Sequence, residues 1–595
     1  MRLHLILAVI TAVALVVTLR AAKHHALTFA QVEQMAQKRA AAKYVAPPDV
    51  LPPQLQKLTP QQDAGIFSKE TARLWRKKGL PFQIDFYHQL KSNPLPHLAP
   101  HFYNVDRKGS HVLPYSSAFF NYIDVAAHPA RQLDLQPPLP PNLGYAGFYV
   151  RYPNMGIGTG PNSLDGFFSV LGASYFRALA KEQVYGLSGR GIAINTSLED
   201  PKRPEEFPNF TDWWLHEPSS SQDTELVLDA ILDGPSVCGA YEFRIRPGAV
   251  TSVDIHASLF FRQAVDRLGI APFSSMYLYG ENSNDHFRDN IHPEIHDSDG
   301  LMIQDARDEW SWQPLEQSDD KRTGAPGYQL QTYAIGEQSP KGFGLIQRDR
   351  DFAHYQDLVM RYNVRPSAWV MPHTGFDSGE VTLLQRPSDD YNTDNTVLFW
   401  HPAEPIHAGD HKDYSYTIDF YMNDAARPPL AYTKQTLVNV PAPPPPTPPL
   451  VLPPGMPNLP GTKPAATNAP AATAPKPATN APGAEPPAPK PFVGPPAPIG
   501  KPIPVGTTPV QFLVDFAGSG IENTPANQPP DLDLTFDPPG TYLREKTVEK
   551  NGYDNSWRVT FTIIPFKHFT PTLLKCRLLH NNRPITETWT YTWRQ

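Results

Sequence analysis

FFSVLGASYFRALAKEQVYGLSGRGIAIN, residues Phe167 to Asn195, packs glycines, hydroxyl residues, aromatics and arginines between apolar runs. Val170 to Leu179 reads either as a strand running into a turn or as a short helical segment. Gly186, Gly189 and Gly191 permit close backbone approach, and Gly191 to Asn195 begins another apolar strand. GLSGRG is not a phosphate loop, because the GK[ST] ending and the following helix are missing. Outward from this stretch the same period of two recurs at Gly79 to Tyr87, Tyr145 to Tyr152, Tyr241 to Arg246 and Ser252 to Phe261. Pro-Gly, Asp-Gly and Asn-Pro turns separate these runs. Helical patterning is confined to Ala30–Ala42 and Phe352–Arg361. So many antiparallel strands exceed one simple sandwich and predict a large double-layered one.

A chain of 595 residues is too long for one ordinary domain. Charged residues make up 19%, the net charge is -7 and aromatics reach 11%. With no basic excess to neutralise a phosphate backbone, nucleic acid is excluded as the partner. Aromatics mixed with hydrogen-bonding side chains suit stacking on sugar rings, although most will fill β-sheet cores.

Leu3 to Leu19 is almost uninterrupted apolar sequence, short for a membrane span and long for the apolar part of a signal peptide. Residues 1–26 therefore read as a signal peptide or a membrane anchor, and the chain as exported. Cys238 and Cys576 are the only cysteines. They flank a long linker and are expected to be buried free thiols, since a large core needs no disulfide framework. Two cysteines cannot build a zinc or iron–sulfur site, and no cofactor is expected.

Pro441 to Pro504 is rich in proline, alanine and threonine, a composition that cannot bury a core and favours extended conformations. Residues 437–509 are read as a linker between a large domain, 27–436, and a small one, 510–595. In the small domain, Gln511–Phe516, Trp557–Ile563 and Thr588–Trp593 alternate with period two, and Asn551-Gly552 supplies a turn. Shortening the linker by about half is expected to leave the melting temperature unchanged, because such sequence stays solvated. A large drop would show that it packs on the body.

Three polar clusters lie in the body. Phe273 to Asn282 leads to Glu294-Ile295-His296-Asp297-Ser298-Asp299-Gly300. Gly344 to Phe352 leads through Tyr355 to Pro366-Ser367-Ala368-Trp369. Pro387 to Asn395 leads into the strand Thr396–Trp400. Aspartates on turns between strands can supply the two carboxyl groups of glycoside hydrolysis. Asp-x-Asp-Gly is also a common turn and a calcium-binding pattern, and Asp-Asn before a strand often only satisfies backbone amides.

Together with residues 167–195, these clusters resemble the OpgG/OpgD (MdoG/MdoD) family of periplasmic glucan biosynthesis proteins, over essentially the whole chain. The resemblance implies an all-β fold: a large galactose-mutarotase-like β-sandwich followed by an immunoglobulin-like one. It implies a periplasmic location and a role with osmoregulated periplasmic β-1,2-glucan. Two readings stay open, an inverting β-1,2-glucan hydrolase or a non-catalytic glucan-binding factor assisting a membrane-bound glucosyltransferase. By motif, the catalytic candidates are Asp394 with Asp299 or its neighbour Asp297. Tyr175, Arg177, Tyr185, Arg190, Arg348, Arg350, Trp369 and Trp400 are candidate sugar contacts; the alternatives are salt bridges for the arginines and core positions for the tryptophans.

One departure bears on catalysis. The family pattern P-T-x-x-E-T-x-D-N has a glutamate three residues before the second aspartate, where this chain has Tyr391; Gln385-Arg386 likewise replaces the usual Glu-Ile. Losing a carboxylate there changes the pKa of a neighbouring aspartate. His256 and His296 lack metal-ligand spacing, and His296 is expected to orient the aspartate loop. No Ser-His-Asp elbow, Rossmann glycine pattern, Walker motif or HExxH is present.

Overall fold

Residues 167–195 supply all or part of four strands, joined by a turn at 172–174 and a loop over 179–187. Leu164–Leu171 pairs with Tyr175–Ala178 around Gly172, whose φ of 77° makes the turn. The structure, a computed structural model, describes residues 27–439 and 509–593, except 95, 126, 128–130, 161–162, 199, 284–290, 317–328, 334–339, 389, 425, 540–541 and 565–570. The signal or anchor read in residues 1–26, and the linker over 440–508, lie outside the described residues.

Two large sheets make an all-β sandwich. A ten-stranded sheet runs from Gln83–Tyr87 through Leu164–Leu171, Ser188–Arg190, Leu268–Ser275 and Thr396–Pro402 to Gln329–Tyr333. The opposing sheet has 15 strands and is centred on Val237–Arg246, Val250–Phe261 and His411–Tyr421. Along Val250–Phe261 the period of two is literal: Val253, Ile255, Ala257, Leu259 and Phe261 are all buried. Phe176 of one sheet meets Phe243 of the other edge-on at 5.6 Å, within one continuous core. Helix Phe29–Ala40, capped by Thr28 and Gln31, packs Val32 and Ala36 on Trp214, Ile231 and Cys238.

The small sandwich begins upstream of the proline-rich segment. Tyr432–Asn439 pairs with Val510–Ala517, which continues to Trp557–Ile564 and Tyr542–Lys550. Its other layer, Asp531–Asp537, Thr572–His580 and Thr588–Trp593, is an extension of the 15-stranded sheet. The join is a parallel pairing, Ser311 with Thr588 and Trp312 with Trp589. A second core accordingly mixes Trp310, Trp312 and Trp369 of the body with Phe512, Trp557 and Trp589. Cys238 and Cys576 are buried and free.

The helix expected over Phe352–Arg361 does not form. A 3-10 turn covers Phe352–His354, and Gln356 and Arg361 take positive φ. Asp351 accepts from the Ala353 amide, and Asp357 accepts from those of Val359 and Met360. Such local bonds compete with helical ones.

Candidate active site

The stretch Ile295 to Gly300 is threaded between two strand ends. The Asp297 amide donates to the Met276 carbonyl at 2.8 Å and the Asp299 amide to that of Ile346 at 2.8 Å. The Ser275 and Ser298 hydroxyls meet at 2.9 Å. Fixed this way, the two aspartates face different surroundings.

Asp297 is buried and ion-paired with Arg365. Burial pushes its carboxyl up to about 6; Arg365 pulls it down, Asp394 pushes it up and Arg177 pulls it down. Asp299 instead accepts from the backbone amides of Arg348 and of Asp349, the latter at 2.6 Å, and lies 3.4 Å from His296 Nε2. The structure thus brings Asp297 into the electrostatic company of Asp394, while Asp299 turns to a neighbouring pocket beside His296.

Asp394 sits where its loop enters strand Thr396–Pro402. Asn395 does the structural work that Asp-Asn turns commonly do. Its side chain accepts from the Tyr277 amide at 2.8 Å and donates to the carbonyls of Tyr277 and Arg386 at 2.8 and 2.9 Å. The Asp394 carboxylate is left without a hydrogen bond among the described residues. Its surface is exposed, yet desolvation is the largest influence on its pKa and raises it, against Arg177, Arg365 and Arg190. The carboxyl is thus open to solvent and still closely surrounded by protein.

Of the candidate sugar contacts, Arg177 and Arg190 act on the Asp394 carboxyl, and Tyr175 and Tyr185 lie beside those arginines. Arg177 is exposed and donates from Nε to Ser188 Oγ at 2.7 Å. Arg190 lies over the rings of Tyr175 and Phe207 at 5.2 and 5.0 Å, and 3.6 Å from Glu205. The Tyr185 hydroxyl is buried without a hydrogen-bond partner among the described residues. Gly186 lets Arg365 approach, since a Cβ there would stand 3.0 Å from its Cδ.

The other four are enclosed or engaged within the protein. Trp369 is 2% exposed and stacks on Trp310 at 5.5 Å in the second core; Trp400 is 1% exposed against Phe376 in the first. Neither ring face is open to solvent. Arg348 grips buried Glu587 with both guanidinium ends at 2.6 and 2.9 Å. Arg350 is spent on the carbonyls of Asn363, Arg365 and Met422. These strand positions alternate as core positions do, and an arginine's partner more than 200 residues away carries no local signal.

Asp390 does not stand in for the missing glutamate. Its carboxylate accepts from Asn392 and Thr393 within its own turn. Tyr391 is half exposed and lies within electrostatic reach of Tyr362. Arg365, absent from the sequence candidates, had one signal: Pro366 forces it out of the helical region, and it is extended, with ψ 151°.

The model of the family described as "Periplasmic glucan biosynthesis protein, MdoG" matches residues 27–443 and 497–593. "Glucans biosynthesis protein G" of Ralstonia nicotianae is 38% identical, over 68% of this chain and 75% of its own length. The proteins of the same name from Sodalis glossinidius and Dickeya dadantii are 32% and 31% identical. Those matches cover 96% and 95% of this chain, and 94% and 93% of theirs. The chain belongs to the MdoG family of periplasmic glucan biosynthesis proteins.

Proposed function

We propose that the protein works in the periplasm on linear β-1,2-glucan, held at Asp394, and shortens it by an inverting hydrolysis. The observation that carries this reading is the Asp394 carboxyl: exposed, free of hydrogen bonds among the described residues, and raised in pKa by its surroundings. Those are the properties of a general acid that must hold a proton and release it to a leaving oxygen. In the proposed step Asp394 protonates the glycosidic oxygen while a water attacks the anomeric carbon from the opposite face. Asp297 is the carboxylate assigned to take that water's proton, directly or through a relay of hydroxyls. Arg177 and Arg190, with the Tyr175 and Tyr185 rings, are the groups proposed to hold the sugar. The small sandwich, sharing a core with the body, would brace the cleft.

A non-catalytic role, receiving glucan from a membrane-bound glucosyltransferase, is the second reading. It is favoured by Arg365, whose pairing with Asp297 weakens that carboxylate as a base. Purified protein incubated with linear β-1,2-glucan separates the two. Shorter products support hydrolysis. Saturable binding selective over β-1,3- and β-1,4-glucans, with no shortening, supports the binding factor; no selective binding sinks both. Because Tyr391 occupies the place of the family's usual glutamate, activity is expected to be weak and Tyr391→Glu to raise it in the same assay. An unchanged or lower rate would remove the significance assigned to that position.

A further inference from the structure

Asp299 opens on a second pocket, where the body meets the small sandwich's first strand. Glu281, Glu294, His296, Asp299 and Asp349 line it from the body, and Thr433 to Gln435 from Tyr432–Asn439. Four carboxylates face it, and the strong cations at its wall are committed elsewhere: Arg348 to Glu587, and Lys434 to Asp554 at 2.5 Å. Ligand atoms of Glu294, His296 and Asp299 all lie within 4.8 Å of one another, as do those of Glu294, Asp349 and His354.

The histidine is oriented for coordination. Gln347 donates its amide nitrogen to Tyr355 Oη at 2.9 Å and to the Tyr362 carbonyl at 3.2 Å, so its oxygen faces His296 Nδ1 at 3.1 Å. Nδ1 therefore carries a proton, and Nε2 faces Glu294 Oε2, 2.9 Å away, and Asp299 Oδ1; without a metal it donates to them as an imidazolium, and with one it would share the ion with them. A histidine that ligates a metal typically donates its other ring N–H to such an oxygen. Thr433, 2% exposed, lines the pocket, and its hydroxyl has no hydrogen-bond partner among the described residues. A bulge between Thr433 and Gln435 breaks the strand's alternation there. The pocket has room of about 30 Å³, enough for an ion with a water.

We propose that this pocket binds one divalent first-row cation through Glu294, His296 and Asp299, with Asp349 beside it and Thr433 holding a water of the ion, fastening the body to the small sandwich. Mixed imidazole and carboxylate donors suit Zn²⁺ or Co²⁺ rather than Ca²⁺. The test uses the full chain stripped by a chelator and titrated calorimetrically with ZnCl₂, with melting temperature followed in parallel. One equivalent should bind and raise the melting temperature. Glu294→Gln and Asp299→Asn should each weaken binding at least about tenfold. Asp413→Asn, in the separate surface group with Glu33 and His256, should not. Should the pocket variants fail to fold, Co²⁺ added to the wild-type chain should give one paramagnetically shifted imidazole N–H, that of His296. Absence of that signal, no saturable equivalent, or binding unmoved by folded pocket variants would overturn the proposal. The last two would leave His296 as an imidazolium bridging two carboxylates, or place the ion on the surface.

Discussion

Asp394→Asn is expected to lower glucan shortening at least about 100-fold while leaving glucan affinity nearly unchanged. The amide keeps the shape of the side chain but has no proton to give the leaving oxygen. Because Asn395, not Asp394, ties the loop to Tyr277 and Arg386, the fold should survive the change. Product chain length, a glucan titration and a circular dichroism spectrum on the same sample separate these effects. A fully active variant would remove Asp394 from the chemistry; a variant that no longer binds glucan would make it a positioning residue.

Arg365→Ala should be the most destabilising single change at the site, costing about 3–5 kcal/mol in urea unfolding, because it leaves Asp297 buried without its partner. The double variant Arg365→Ala, Asp297→Asn should recover much of that loss, since no unpaired charge then remains. If the losses of the single variants simply add, the pair is not coupled. A pH dependence follows with a definite sign. Asp297 holds its proton more tightly in the folded chain, up to about 6, than an ordinary aspartate does. Its contribution to stability is therefore full below the ordinary range near pH 4 and is lost as pH rises through about 6. Asp297→Asn should flatten that part of the stability profile.

The fold was legible wherever one face of a strand is buried. Val250–Phe261 and Trp557–Ile564 announce themselves by alternation, because a sheet with one buried face demands it. The first strand of the small sandwich was less legible. Tyr432–Asn439 finds its partner only across the proline-rich segment, and nothing local to it says which sheet it joins. Helical patterning at Phe352–Arg361 misled for a local reason, since Asp351 and Asp357 hold backbone amides that a helix would need.

At the candidate site, Asp394 and the His296–Asp299 stretch stood out as polar residues among apolar strands. Which aspartate of that stretch faces Asp394 could not be read from spacing, because it depends on how the segment threads between Met276 and Ile346. Trp369 and Trp400 show the converse. A large aromatic on a strand has the same signature whether it stacks on a sugar or on Trp310 and Phe376. Arg365 was invisible as a partner because its carboxylate lies 68 residues away in the chain.

Proton NMR of the first reducing ends formed from linear β-1,2-glucan reads out the stereochemistry of the proposed inverting hydrolysis at Asp394. An inverting attack predicts that the new ends appear as the α-anomer and only later mutarotate toward equilibrium. New ends that appear first as the β-anomer, or none at all with saturating protein, would contradict it.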